Sequence, residues 1–166
     1  MITGNDFIDM LYLSEMDEKI LNMREELNAP KPIIDKDFKK YGGNSMPIEN
    51  LGIELFFKDF SRVMEESKGP YGKSDIIFGG IMFSYNSKIE PPFNIKMGDN
   101  LEEVVKKIGK EQTYNTKRFP QKVWKFERDD GKLYLLYAFF DKEYSEVLNI
   151  KVLTYGKAVE KLPKHI

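Results

Sequence analysis

The residues able to do chemistry in this 166-residue chain are few in kind: one histidine, many carboxylates and no cysteine. His165 is the single histidine, and a general base or metal ligand must be held within hydrogen-bond reach of its target. It stands one residue from the end of the sequence, where chains fray, so neither role is expected of it. The paired acids Glu65-Glu66, Glu102-Glu103 and Asp129-Asp130 are the pattern that hydrolysis or metal binding would use. Helix first turns, solvated loops and hairpin turns use the same pairs. Adjacent acids on a helix point in different directions, and no His or Cys joins them to complete a metal site. The lack of cysteine removes thiolate metal centres, cysteine nucleophiles and disulfides together. Gly42-Gly43 and Gly79-Gly80 lack the spacing and the following Lys-Ser/Thr of a phosphate-binding loop. No catalytic residue, cofactor or metal ligand is assigned, and the chain reads as a non-enzyme.

Aromatic side chains, 13% of the chain, are the stronger signal. Trp124 and Phe126 alternate with Lys125 and Glu127 and belong to the core face of a strand. Tyr71, Tyr114 and Phe119 fall in expected loops, while Tyr134 and Phe56 fall in strands with a second apolar side. Exposed aromatics are the usual anchors of protein interfaces, so these five are the candidate partner-binding residues. Packing between elements would account for them equally well.

The elements that must position them follow from period and punctuation. A first short helix is expected over 5–12, and a second after Ser14 as N-cap, with Ile20, Met23 and Leu27 as its buried stripe. Asn28 and Pro30-Lys31-Pro32 end it. Residues 33–50 resist assignment beyond one weak strand. Strands are expected at 53–57 and 76–85, with Gly79-Gly80 marking a bulge or a close backbone approach. Between these two strands lies an insertion, 60–73, with a turn signal at Gly69-Pro-Tyr-Gly72. Further on, Asn100 and Glu103 form a capping-box pattern, Leu101, Val104, Val105 and Ile108 make the apolar stripe, and Gly109 stops the helix. Strands at 123–127, 133–141 and 146–153 follow, the first two joined by the turn Asp129-Asp130-Gly131.

This order occurs twice. Ile20, Met23, Leu27 and Asn28 fall opposite Leu101, Val104, Ile108 and Gly109 at an offset of 81, and Ile53, Leu55, Phe57 and Asp59 opposite Leu135, Tyr137, Phe139 and Asp141 at 82. Self-similarity at a fixed offset implies one supersecondary unit used twice. The expected fold is α+β: two helix-plus-antiparallel-meander repeats, 1–87 and 88–166, in one curved sheet of about six strands with helices on one face. The other face is left open, with some of Tyr134, Leu136, Phe140 and Phe56 on it.

The stretch from Phe93 through Asn100-Leu-Glu-Glu-Val-Val-Lys-Lys-Ile-Gly109, then Val123-Trp-Lys-Phe126 and two apolar strands, resembles the repeat of beta-lactamase inhibitor proteins. It is similar also to small outer-membrane assembly lipoproteins built on the same unit. The resemblance covers most of the second copy. The first copy departs from it, lacking the helix-ending Gly and the strand Trp, and no lipoprotein cysteine is present. What the resemblance implies is a non-catalytic binding scaffold whose concave sheet face grips a protein, as in bacterial immunity proteins that neutralise a toxin delivered between competing cells.

Composition narrows the partner. Hydrophobic residues at 41%, charged residues at 32% and a net charge of −1 are the balance of a folded soluble protein without a basic footprint, so no nucleic acid is expected. No apolar run approaches a membrane span. The acidic N-terminal stretch is unlike a secretory signal, and a cytoplasmic location is expected. The partner is then a protein, a cognate toxin or effector, bound through aromatic and acidic residues of the open face; an adaptor joining two bacterial proteins is the alternative. The sequence leaves the oligomeric state open.

Overall fold

The computed structural model describes residues 1–59, 76–116 and 119–165. Tyr71 and the 60–73 insertion with its turn lie outside the described residues. Three helices come first: α1 (Gly4–Met10), α2 (Glu18–Leu27) and α3 (Lys36–Tyr41). The strands β1 (Gly43–Ile48), β2 (Ile53–Asp59) and β3 (Ile76–Phe83) form a meander, after which α4 (Leu101–Ile108) leads into β4 (Tyr114–Asn115), β5 (Gln121–Glu127), β6 (Leu133–Phe140) and β7 (Val147–Thr154). All seven strands make one open antiparallel sheet in the order β1-β2-β3-β7-β6-β5-β4. The meanders therefore meet through their third strands, with Ile81 opposite Val152 and Phe83 opposite Ile150. The sheet has one strand more than expected, because Thr113 N–H bonds to Val123 O and Tyr114 pairs with Val123 on the far edge.

The termini of the helices follow local chemistry. Asn100 Oδ1 accepts from Glu103 N–H at 2.8 Å while Glu103 accepts from Asn100 N–H, closing the capping box read from the sequence. Gly109 takes φ +89 and ends α4, and Asn28 ends α2 in the left-handed region. Ser14, expected as the N-cap of α2, does something else. Its backbone pairs with Ile77 and its hydroxyl accepts from Met16 N–H, so Asp17 caps instead, accepting from Lys19 N–H at 2.9 Å. A carboxylate there also answers the positive end of the helix dipole. Helix α3 was not legible, being one and a half turns of mostly charged residues with only Phe38 buried.

One large hydrophobic cluster lies between the helices and one face of the sheet, and it draws on both meanders. Phe7, Leu11, Ile20 and Met23 come from α1, α2 and the segment between them, Val104 from α4, and Leu55, Phe57, Phe83, Trp124, Leu136 and Phe140 from the strands. Trp124 is wholly buried, and its indole N–H donates to Lys110 O at 3.0 Å. The Gly79-Gly80 expectation is met on both counts. Register shifts at Gly79 between Phe56 opposite Gly80 and Phe57 opposite Phe78, and a Cβ on Gly80 would lie 2.2 Å from Val152 O.

The internal echo needs one correction. Ile53, Leu55 and Phe57 belong to the helix-side cluster, whereas Leu135 and Tyr137 point to the opposite face. At an offset of 81, shared with the helices, the three residues fall opposite Tyr134, Leu136 and Ala138, all in the helix-side cluster. Side chains alternate with period two, so a one-residue slip exchanges the faces. Strand β6 is apolar on both sides, and its sequence does not reveal which set faces the helices.

Candidate functional site

Cross-strand pairing defines the face turned away from the helices. One row runs Pro47, Glu54, Met82, Lys151, Tyr137, Val123, and the next runs Ser45, Phe56, Gly80, Leu153, Leu135, Lys125. The two ends of these rows meet different fates. Over β5 and β6 the chain after β7 folds back as a 3-10 turn, Lys157–Lys161, and Tyr155 and Val159 join Tyr114, Val123 and Leu135 in a second buried cluster. Leu133, Tyr137 and Leu162 pack against it. Lys125 Nζ sits 5.0 Å above the Tyr155 ring, Tyr155 hydroxyl donates to Glu160, and Lys164 pairs with Tyr114 at the sheet edge. Burial raises the Tyr137 phenol pKa.

Over β1, β2 and β3, Phe56, Met82, Leu153 and Lys151 are partly buried and belong to neither buried cluster. A shallow groove of about 280 Å³ opens there between Tyr41, Gly43, Phe56, Lys58, Lys151 and Leu153. Lys58, which lines it, donates from Nζ to Thr154 Oγ1 at 2.9 Å. Tyr41, at the end of α3, is 69% exposed with Lys40 Nζ 5.2 Å from its ring centre.

The candidate anchors separate accordingly. Phe56 lies on the uncovered half, as expected. Phe119 is 55% exposed and packs against Phe139, on the same face, at 6.0 Å between ring centres. Tyr114 is a correction: at 3% exposure it is sealed under the C-terminal turn, where its pairing with Val123 turns it inward. Tyr134 is another, at 7% exposure. It stands on the helix face with Leu136 and Phe140, stacked on Phe126 at 5.0 Å, which in turn stacks on Phe93 at 5.2 Å. Burial raises its phenol pKa. Tyr71 is outside the described residues. Sequence reasoning missed Tyr41, Met82 and Lys151; only a correct register for β3 and β7 would have placed the last two beside Phe56.

A second concavity, of about 580 Å³, lies between α1 and the β5–β6 turn, where Asp9, Lys19, Glu127, Asp129 and Lys132 line it. Its central Arg128 is committed to structure. The guanidinium donates to Ile8 O at 2.7 Å and Leu11 O at 3.1 Å, closing the C-terminal end of α1, and grips Asp130 through Nε and Nη2. The Arg128 hydrogen bonds hold the Asp130 pKa below its ordinary value, against a smaller opposing effect of burial. Asp99 is held down too: burial pushes it upward, but Lys107 at 2.6 Å and the Lys96 N–H outweigh that push. Asp141 is lowered by the Ser145 hydroxyl. Downward shifts keep these carboxylates ionised near neutrality, the opposite of what a proton donor needs. Among the described residues no group of three His, Asp or Glu side chains is placed to hold a metal ion, and no helix is long and apolar enough to cross a membrane.

No protein-family model, curated protein or solved structure matches the chain.

Proposed function

We propose that this chain is a non-enzymatic protein-binding module, an immunity or inhibitor protein that neutralises a protein toxin by occluding it with the uncovered half of the sheet face. The observation that carries the reading is the contrast along one face. Its β5–β6 half is closed by the chain's own C-terminal turn, while its β1–β3 half keeps Phe56, Met82 and Leu153 partly exposed outside either buried cluster. Apolar side chains held by regular strands lose little entropy on association, which is the property of interface anchors. The ion-paired state of Arg128 and Asp130 supports structure in the other concavity rather than turnover.

The test is affinity capture of the tagged protein from its native cells, with an activity assay on whatever co-purifies. A stoichiometric, inactive toxin complex is expected, and Phe56→Asp with Met82→Asp should abolish it. A captured partner that remains fully active would point to an adaptor. A complex indifferent to both substitutions would remove this face from the reading.

A further inference from the structure

His165, placed where chains fray, is engaged through both its backbone and its ring. Asn115 N–H donates to Pro163 O at 2.8 Å, His165 N–H donates to Thr113 O at 3.0 Å, and Lys164 pairs with Tyr114 between them. Residues 163–165 thus cover the outer edge of β4, where unpaired main-chain groups would invite another strand. Two backbone hydrogen bonds are a slight attachment, of the kind that opens locally without global unfolding. A side-chain relay completes it, and the relay has a fixed direction. Lys122 Nζ donates to Asn115 Oδ1 at 2.8 Å, so that atom is an acceptor. Gln112, 6% exposed, approaches the same oxygen at 3.2 Å and must present its amide nitrogen there. The same nitrogen lies 3.1 Å from His165 Nδ1. An amide nitrogen can only donate, so Nδ1 accepts and the ring proton sits on Nε2.

We infer that this relay is an acid-sensitive latch: a proton on His165 Nδ1 releases residues 163–165 from β4 and bares that edge of the sheet. The inference goes beyond the occlusion reading and does not depend on what the uncovered half of the face binds. A protonated Nδ1 would meet the Gln112 N–H donor to donor. Turning the amide over does not help, because it sets Gln112 Oε1 against Asn115 Oδ1, and Lys122 holds that oxygen in place. In its present position Gln112 Oε1 is buried with no hydrogen-bond partner among the described residues, so the amide has no bond in reserve. A buried amide that loses its acceptor costs more than the bond itself contributed.

Among the described residues, the charged groups around the ring are Glu111, Lys122 and Lys164. Glu111 Oε2 lies 3.8 Å from His165 Nε2 and favours the imidazolium, which opposes release. Its side chain is 65% exposed, and an exposed pair contributes little. Lys122, through the relay, and Lys164, the preceding residue, act the other way. The latch is therefore closed with a neutral ring and opens as pH falls through the imidazole range. Imidazole is the side chain that ordinarily changes charge between pH 5 and 8, and His165 is the only one in the chain.

The test is NMR of the uniformly 15N-labelled full chain at pH 8 and pH 5. At pH 8 the His165 ring should show Nε2 protonated and Nδ1 bare, and the reverse tautomer would overturn the relay. Amide protection at Asn115 and His165, corrected for the intrinsic pH dependence of exchange, should fall about tenfold or more at pH 5. Protection at Leu136 and Val152, in the central strands, should hold. His165→Asn offers Gln112 an acceptor that does not titrate, so protection at Asn115 in that variant should be the same at both pH values. Glu111→Gln removes the opposing carboxylate and should enlarge the fall. The amide spectrum of each variant reports its folding in the same experiment. Wild-type protection that is unchanged or rises at pH 5 would overturn the latch, and so would an equal fall in His165→Asn. The occlusion reading falls on a different result, a toxin complex that survives Phe56→Asp and Met82→Asp.

Discussion

The two halves of the sheet face turned away from the helices are rows of the same strands, and they end in opposite states. Leu135, Val123 and Tyr114 are buried beneath Tyr155 and Val159, whereas Phe56, Met82 and Leu153, in the same or the adjoining row, are only partly buried. An apolar sheet face open along its entire width would be an aggregation hazard. Covering one half internally confines the partly exposed apolar side chains to the β1–β3 half.

The largest expected effect of breaking this contrast is on the sealed side. Leu135→Ala removes a buried leucine from the second cluster and should cost about 2–4 kcal/mol in denaturant unfolding. Phe56→Ala, in the same row three strands away on the open side, should cost less than that. Similar losses at the two sites would mean the halves do not differ as described.

Next comes the tie between the N-terminal segment and the second meander. Tyr12, nearly fully buried, donates its hydroxyl to Leu133 O at 2.5 Å and accepts from Tyr155 N–H at 2.9 Å. Tyr12→Phe strands both backbone groups, and a loss of about 1–3 kcal/mol is expected, with faster amide exchange at Tyr155. Unchanged exchange there would show that the sealed half does not depend on this link.

How much of this was legible in sequence depends on where side-chain pattern and punctuation agreed. Helix α4 was readable to its caps because Asn100, Glu103 and Gly109 each have a single good use in that order. The bulge at Gly79-Gly80 was readable because two glycines inside an apolar strand mark a close backbone approach. Tyr134 and Tyr114 were misplaced for different reasons. Apolar residues on both sides of β6 hide which side meets the helices, and the turn that buries Tyr114 lies some 40 residues further along the chain, a long-range contact without a local signature. Lys151 and Met82 were missed for a similar reason, since they come beside Phe56 only through the β2–β3 and β3–β7 pairings.

A smaller effect sharpens the account of the other concavity. The folded Asp130 pKa is lowered, so its contribution to stability is present above the unfolded value of about 3.9 and is lost as pH falls toward the folded value. Asp130 is about half exposed, so solvent screening keeps the contribution below about 1 kcal/mol. Asp130→Asn should therefore flatten the stability profile below about pH 4 and change little at pH 7. An equal loss at both pH values would assign Asp130 to turn geometry rather than to its ion pair with Arg128.

Phe56→Ala should cost less stability than Leu135→Ala, because its ring is not fully buried. Its large effect should be on partner binding, and a stability loss approaching that of Leu135→Ala would make it a core residue instead.

The most direct test of the central claim is hydroxyl-radical footprinting of the protein alone and in complex with its captured partner. In the free protein Phe56, Met82 and Tyr41 should be oxidised readily and Leu135 and Val159 hardly at all. In the complex the first three should become protected while α1 and α2 keep their free reactivity. Protection confined to α1 and α2, with Phe56 and Met82 still oxidised, would contradict the claim that the uncovered half of the sheet is the binding surface.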